Sequence, residues 1–244
     1  HDQHVRGQVG TQAIARGIGI DDFDGQLEPL LFVHLDAGRQ VHSRGDVPKM
    51  DFAPIALHDR VDAQLPSLFL RRPQATFAVR PVEDFRAAYA TAVSYSPQGA
   101  AGGQAGVLFV NTSELASRPS YAMDALYLGE AVPGRFYLAA IAQEMPDLPR
   151  FRRFGDDAAF VAGWALYAQS LGTELGLYAD PYSQFGALNV ELWRATALVV
   201  DTGLHAQGWS RQRAGDYLRE NTALGEADIA AEVDRYVACP GQAL

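Results

Sequence analysis

A proline followed by a glycine breaks a long, largely apolar stretch, Tyr121–Phe154 (YAMDALYLGEAVPGRFYLAAIAQEMPDLPRFRRF). Apolar residues on both sides of Pro133-Gly134 recur at helical spacing. Proline removes one ladder bond and its ring clashes with the preceding turn. A chain that keeps this pair in mid-run is expected to fold around a central helix distorted at that point. Glu130, Arg135 and Tyr137 flank the break, and the chemistry of the chain is expected there.

The whole 244-residue sequence sets bounds on partners and class. Its 48% apolar and 20% charged residues are ordinary for a globular chain long enough to bury a core. A formal charge of −9 and the lack of a basic run exclude nucleic acid as the expected partner. No apolar run reaches the roughly 20 residues of a membrane span, and no signal-peptide pattern opens the chain. The lone Cys239 can form no internal disulfide, which fits a reducing compartment, so a cytoplasmic location is expected. His34, His42 and His58, spaced by eight and sixteen residues, match no metal-ligand pattern and read as surface or core histidines.

Along the chain, residues His1–Asp24 read as a partly ordered lead-in with a short helix near Val9–Arg16, and Gln26–Ala37 as a buried turn or short helix. Phe52–Leu70 has helical periodicity. Thr76–Pro81 reads as a short strand, and Val82–Tyr89 as a helical turn or two. Ala92–Ser96 and Gly106–Asn111 read as an antiparallel hairpin around a flexible tip at Gln98–Ala105. From Ser120 onward the pattern is helical, over Asp156–Leu177, over Tyr182–His205 opened by Pro181, over Arg211–Glu220 capped by Ser210, and over Leu224–Cys239. No linker divides these parts, so one domain is expected, mainly α-helical with one small antiparallel hairpin.

Several words of the sequence carry a family resemblance. RRPQATFAVRPVEDFR, VLFVNT, EAVPG, LPRFRRFG, GWALYAQSLG, LWRATALVVDTGLHAQGWSR and EVDRYVACPGQAL occur in this order between Leu65 and Leu244. They resemble a bacterial family known as domain of unknown function 885, whose members are zinc-metallopeptidase-like and mainly helical. Residues before Leu65 match poorly. Family members are usually more than twice this length, which implies missing sequence on the N-terminal side and a clipped C-terminal end.

The family writes the central segment as His-Glu-x-x-Pro-Gly-His-His, where this chain has Gly129, Glu130, Ala131, Val132, Pro133, Gly134, Arg135 and Phe136. By that resemblance zinc would be held by the first His, one of the two later His and a Glu of a Phe-x-Glu-Gly-Trp word, which is Ala162 here; a further family Glu is Gln169. Gly129, Phe136 and Ala162 offer no donor, and Arg135 is a permanent cation. No metal or other cofactor is therefore expected. Glu130, the family's general base toward zinc-bound water, remains.

With the ligands replaced, an apolar cavity walled by Gly129, Phe136, Tyr137, Leu138, Ala162 and Trp164 is expected, the usual profile of a small-molecule site. Glu130, His205 and Tyr236 are the candidate catalytic residues, because a partly desolvated carboxylate is a stronger base and needs no metal. Arg135, Phe136, Tyr137, Trp164, Tyr167, Gln169 and Arg235 are the candidate substrate-binding residues, with Tyr236 or Arg135 opposing negative charge. Trp164 and Tyr167 also read as plain core, and His205 and Tyr236 as ties between helix ends. Three functions stay open: a metal-free enzyme performing cyclisation, isomerisation or elimination on a small, largely apolar molecule; a non-catalytic binding pseudoenzyme; and a hydrolase.

Overall fold

In a computed structural model of the protein, the structure describes residues 53–97, 106–113, 118, 120–155 and 157–243. The lead-in before Ala53 and the hairpin tip lie outside the described residues.

Helices dominate. The first, α1 (Ala53–Gln64), ends in a 3-10 turn at Leu65–Ser67 with Pro66 at its first positions, shorter than the periodicity over Phe52–Leu70 suggests. Three strands follow, β1 (Phe77–Pro81), β2 (Val93–Ser96) and β3 (Gly106–Val110), with a four-residue α2 (Asp84–Ala87) between the first two. The sheet order is β1-β3-β2. β2 pairs antiparallel with β3, from Val93 opposite Val110 to Ser96 opposite Val107. β1 joins the other edge in parallel, from Phe77 beside Gly106 to Pro81 beside Val110. The expected hairpin is thus two-thirds of a mixed sheet. In β3, buried Gly106, Leu108 and Val110 alternate with half-buried Val107 and Phe109, the period of a one-sided strand.

The central stretch is not one helix but three: α3 (Met123–Glu130), α4 (Arg135–Gln143) and the short α5 (Arg150–Arg153). The break falls at Pro133-Gly134, as the sequence requires, with a cis peptide between Val132 and Pro133. Gly134 is needed for close approach, because a Cβ there would fall on the backbone carbonyls of Leu128 and Gly129. The ends of α3 and α4 can therefore touch.

The last four helices are α6 (Ala158–Ser170), α7 (Pro181–Ala206), α8 (Arg211–Asn221) and α9 (Glu226–Ala238). Asp157, Asp180 and Ser210 each cap the helix that follows by accepting backbone N–H bonds. Past Ser170, α6 gives way to a tight turn in which Gly176 takes φ +70°, the left-handed region that favours glycine. The 26-residue α7 spans two apolar cores. One joins α1, the sheet, α3 and α4; the other joins α7, α8 and α9 around Leu218, Val233 and Tyr236. Trp193 packs against both. Among the described residues no helix is long and apolar enough to cross a membrane.

Candidate functional site

The bend between α3 and α4 sets two charges face to face. Glu130 is the last residue of α3 and Arg135 the first of α4. An anion at a helix C-terminus and a cation at an N-terminus both oppose the local dipole. Here each compensates the other, with Arg135 Nε 3.3 Å from Glu130 Oε1. The second carboxylate oxygen, Oε2, accepts the backbone N–H of Tyr95 in β2 at 3.1 Å. The Glu130 side chain is 13% exposed and that of Arg135 34%, so the pair reaches solvent through the arginine.

Aromatic rings fill the other side of the bend. Phe136 is buried against Phe77 and Tyr95, with ring centroids at 4.7 and 5.7 Å. The Tyr137 hydroxyl donates to the Arg71 carbonyl at 2.5 Å, and burial raises its pKa. The Trp164 indole donates to the Pro133 carbonyl at 2.7 Å, and its ring lies 5.6 Å from that of half-exposed Tyr167. Gln169 is buried with its side-chain amide against Gly129, where an added Cβ would lie 2.5 Å from Gln169 Nε2. Gln169 thus occupies the space that a side chain at position 129 would need.

Arg194 of α7 joins the charged group. Burial lowers its pKa most, and it lies within electrostatic reach of Glu130, Arg135, Arg235 and Glu232. On α9, Arg235 pairs with Glu232. Burial alone would lower the Arg235 pKa, but the Glu232 carboxylate holds it above the ordinary value. Tyr236 is buried and its hydroxyl accepts the Trp193 indole N–H at 3.1 Å. Burial first, and the nearby Glu232 charge second, push its pKa well above that of an ordinary phenol. It is a proton donor rather than a base at neutral pH.

His205 belongs to a different contact set. Its Nε2 lies 2.8 Å from the Tyr236 carbonyl, which can only accept, so this nitrogen carries the proton. Buried Asp201, one turn back on α7, stands 3.8 Å from the same atom. Along α7, His205 lies about 16 Å beyond Arg194. The structure therefore brings Glu130, Arg135 and Arg235 to one group through Arg194, gathers Phe136, Tyr137, Trp164 and Tyr167 behind the bend, and ties His205 to the Tyr236 backbone.

Asp201 has a role the sequence reading missed. Its two oxygens accept the backbone N–H groups of Gly241 and Ala243, each at 3.0 Å. The aspartate of the Asp201–His205 word holds the Pro240-Gly241-Gln242-Ala243 word to α7. Asp201→Ala removes two charge-assisted bonds at a buried site and is expected to cost about 1–3 kcal/mol, read by urea unfolding. Asp201→Asn, which keeps one acceptor oxygen, should lose less.

Arg194 was also missed, although a signal existed. It falls between Val190 and Ala197 at helical spacing, and both are buried. A charge in an apolar stripe calls for a partner. A cleft of about 70 Å³ lies nearby, lined by Val93, Leu126, Asn189, Val190, Trp193, Leu224 and Glu232, among others. The Arg118–Asp228 ion pair lies along the same cleft, 2.5 Å from nitrogen to oxygen.

A zinc ion, as the resemblance implies, does not fit these residues. Among the described residues no three His, Cys, Asp or Glu side chains come together to hold a metal. No chemical step is derived through one.

No curated protein matches this chain. Its fold is similar to that of the crystal structure of the putative lipoprotein from Colwellia psychrerythraea, with a TM-score of 0.80 and 28% identity over 100% of this chain. The chain spans 42% of the length of that protein. The family described as bacterial protein of unknown function, DUF885, matches residues 52–244, and the chain belongs to it.

Proposed function

We propose that the bend between α3 and α4 is a metal-free small-molecule site on a zinc-hydrolase-like scaffold, and that it acts by binding. The observation that carries this reading is the donor set: Gly129, Arg135, Phe136 and Ala162 stand where the family motif places ligands, and none can hold zinc. Glu130, the one acid left, has a backbone N–H on one oxygen and a guanidinium beside the other. A carboxylate so engaged is held in place from both sides.

A second reading is the metal-free acid–base enzyme. It is favoured by the residual exposure of Glu130 and by Tyr236, whose pKa is raised by burial so that its hydroxyl stays a donor. Zinc analysis and mass spectrometry of the dialysed full chain separate the readings. Binding alone predicts well under one zinc per chain and a co-purified small molecule recovered unchanged after incubation with fresh protein. Conversion of that molecule would favour acid–base chemistry. About one zinc per chain would end both and favour a hydrolase.

A further inference from the structure

We infer that the cleft between α3, α7 and α9 is a second small-molecule site, and that it takes the head of a short aliphatic primary carboxamide. The inference goes beyond the bend, because no residue of the bend lines this cleft.

Three polar side chains that line the cleft are incompletely met. Asn189 of α7 is 6% exposed, and its Oδ1 accepts the backbone N–H of Ala223 at 2.8 Å. That bond fixes which way the amide faces and leaves Nδ2 with no acceptor among the described residues. Arg118, 5% exposed, donates from Nε to the Ser113 carbonyl at 3.0 Å and from Nη1 to Asp228 Oδ1. Its Nη2 has no acceptor, and Asp228 Oδ2 no donor, among the described residues. Arg118 and Asp228 are joined directly, so their open atoms are neighbours, and Asn189 closes the same cleft from α7. Neither Nδ2 nor Nη2 is sealed in the core as Trp209 Nε1 is, so both open on the cleft. Buried donors so placed are met by whatever occupies that space.

These atoms specify the head. Two donors beside one acceptor match a group that carries a carbonyl oxygen and an NH2 together, which is a primary carboxamide. A carboxylate has no donor for Asp228 Oδ2, and it would face the carboxylates of Asp228 and Glu232, which both line the cleft. The Arg118 charge is already matched by Asp228. An ammonium brings only further donors to Asn189 Nδ2 and Arg118 Nη2. Glu232 itself is closed to a ligand, because both its oxygens accept from Arg235. The walls set the body. Val93, Leu126, Val190, Trp193 and Leu224 are apolar, and the volume of about 70 Å³ is under half the ~150 Å³ that holds a benzene ring. A short aliphatic tail fits there and an aromatic ring does not.

The test titrates the isotope-labelled full chain with propionamide, propionate and propylammonium at constant pH and ionic strength, read by NMR at the Asn189 side-chain amide and the Trp193 indole N–H. The three ligands share a body and differ in the head. Propionamide is expected to shift both signals saturably, with an affinity about tenfold above either charged ligand, the worth of one good hydrogen bond. Ala231→Leu fills the cleft from α9 without touching its polar groups and should abolish the shifts. Asn189→Asp keeps the oxygen that takes the Ala223 N–H, exchanges the donor for an acceptor, and should reverse the order in favour of propylammonium. The inference is overturned if no ligand gives a saturable shift, which leaves the cleft to water. It is also overturned if either charged ligand matches propionamide, if Ala231→Leu responds as the natural chain does, or if Asn189→Asp still prefers propionamide. Should a variant fail to fold, the comparison of heads on the natural chain decides alone, because the Asn189 amide protons report the contact directly. Neither result bears on the reading of the bend, which shares no residue with this cleft.

Discussion

Tyr127→Ala is expected to destabilise the protein by about 3–5 kcal/mol, the cost of emptying a large aromatic site in a packed core. Tyr127 is fully buried in α3, three residues before Glu130. Its hydroxyl is hydrogen-bonded to His58 Nδ1 at 2.9 Å, which ties α3 to α1. Burial pushes its pKa far above the usual phenol value, so the hydroxyl stays protonated and donates to the imidazole. Truncation removes both the ring contacts and this bond. A fall in melting temperature of roughly 10 °C is expected for a chain of this size. Tyr127→Phe, which keeps the ring and loses only the hydroxyl, should cost about 1 kcal/mol. Equal losses for the two variants would show that the hydrogen bond, not the packing, holds α3.

The second large effect concerns Gly186, near the start of α7. Glycine inside a helix costs about 1 kcal/mol relative to alanine, so its presence needs a reason. The reason is contact: a Cβ at position 186 would fall on the backbone carbonyl of Tyr121, in the 3-10 turn that leads into α3. A backbone carbonyl cannot rotate aside as a side chain does. Gly186→Val should therefore destabilise by about 3 kcal/mol, the gain in helix propensity being far smaller than the overpacking cost. The same variant separates α3 from α7, and with them Glu130 from Arg194. A lowered melting temperature would report that separation. An unchanged melting temperature would mean that α7 slides on Tyr121 without strain.

Helices, their caps and the break were written locally, so they were legible. Asp180-Pro181 and Ser210 announce the starts of α7 and α8 because capping involves residues within one turn of each other. Pro133-Gly134 announces the bend for the same reason. The parallel pairing of β1 with β3 was not legible, because nothing in Thr76–Pro81 says which strand edge it will meet some thirty residues later. The long stretch Tyr121–Phe154 divides into three helices because the turn after α4, around Pro146 and Pro149, cannot continue a ladder.

By itself the sequence determined a mainly helical chain with a small sheet and a central break. These follow from side-chain chemistry and from spacing along the chain. Only the tertiary structure decided which charges meet. It set Glu130 against Arg135 and the Tyr95 amide, gathered Arg194, Arg235 and Glu232 beside them, packed Gln169 against Gly129, and tied His205 to Tyr236 and Asp201 to the C-terminal turn. Electrostatic pairing and desolvation depend on distance in space, and these residues come from α3, α4, α6, α7, α9 and β2. Their separations in space are set by helix packing, which the order of residues encodes only through the whole fold.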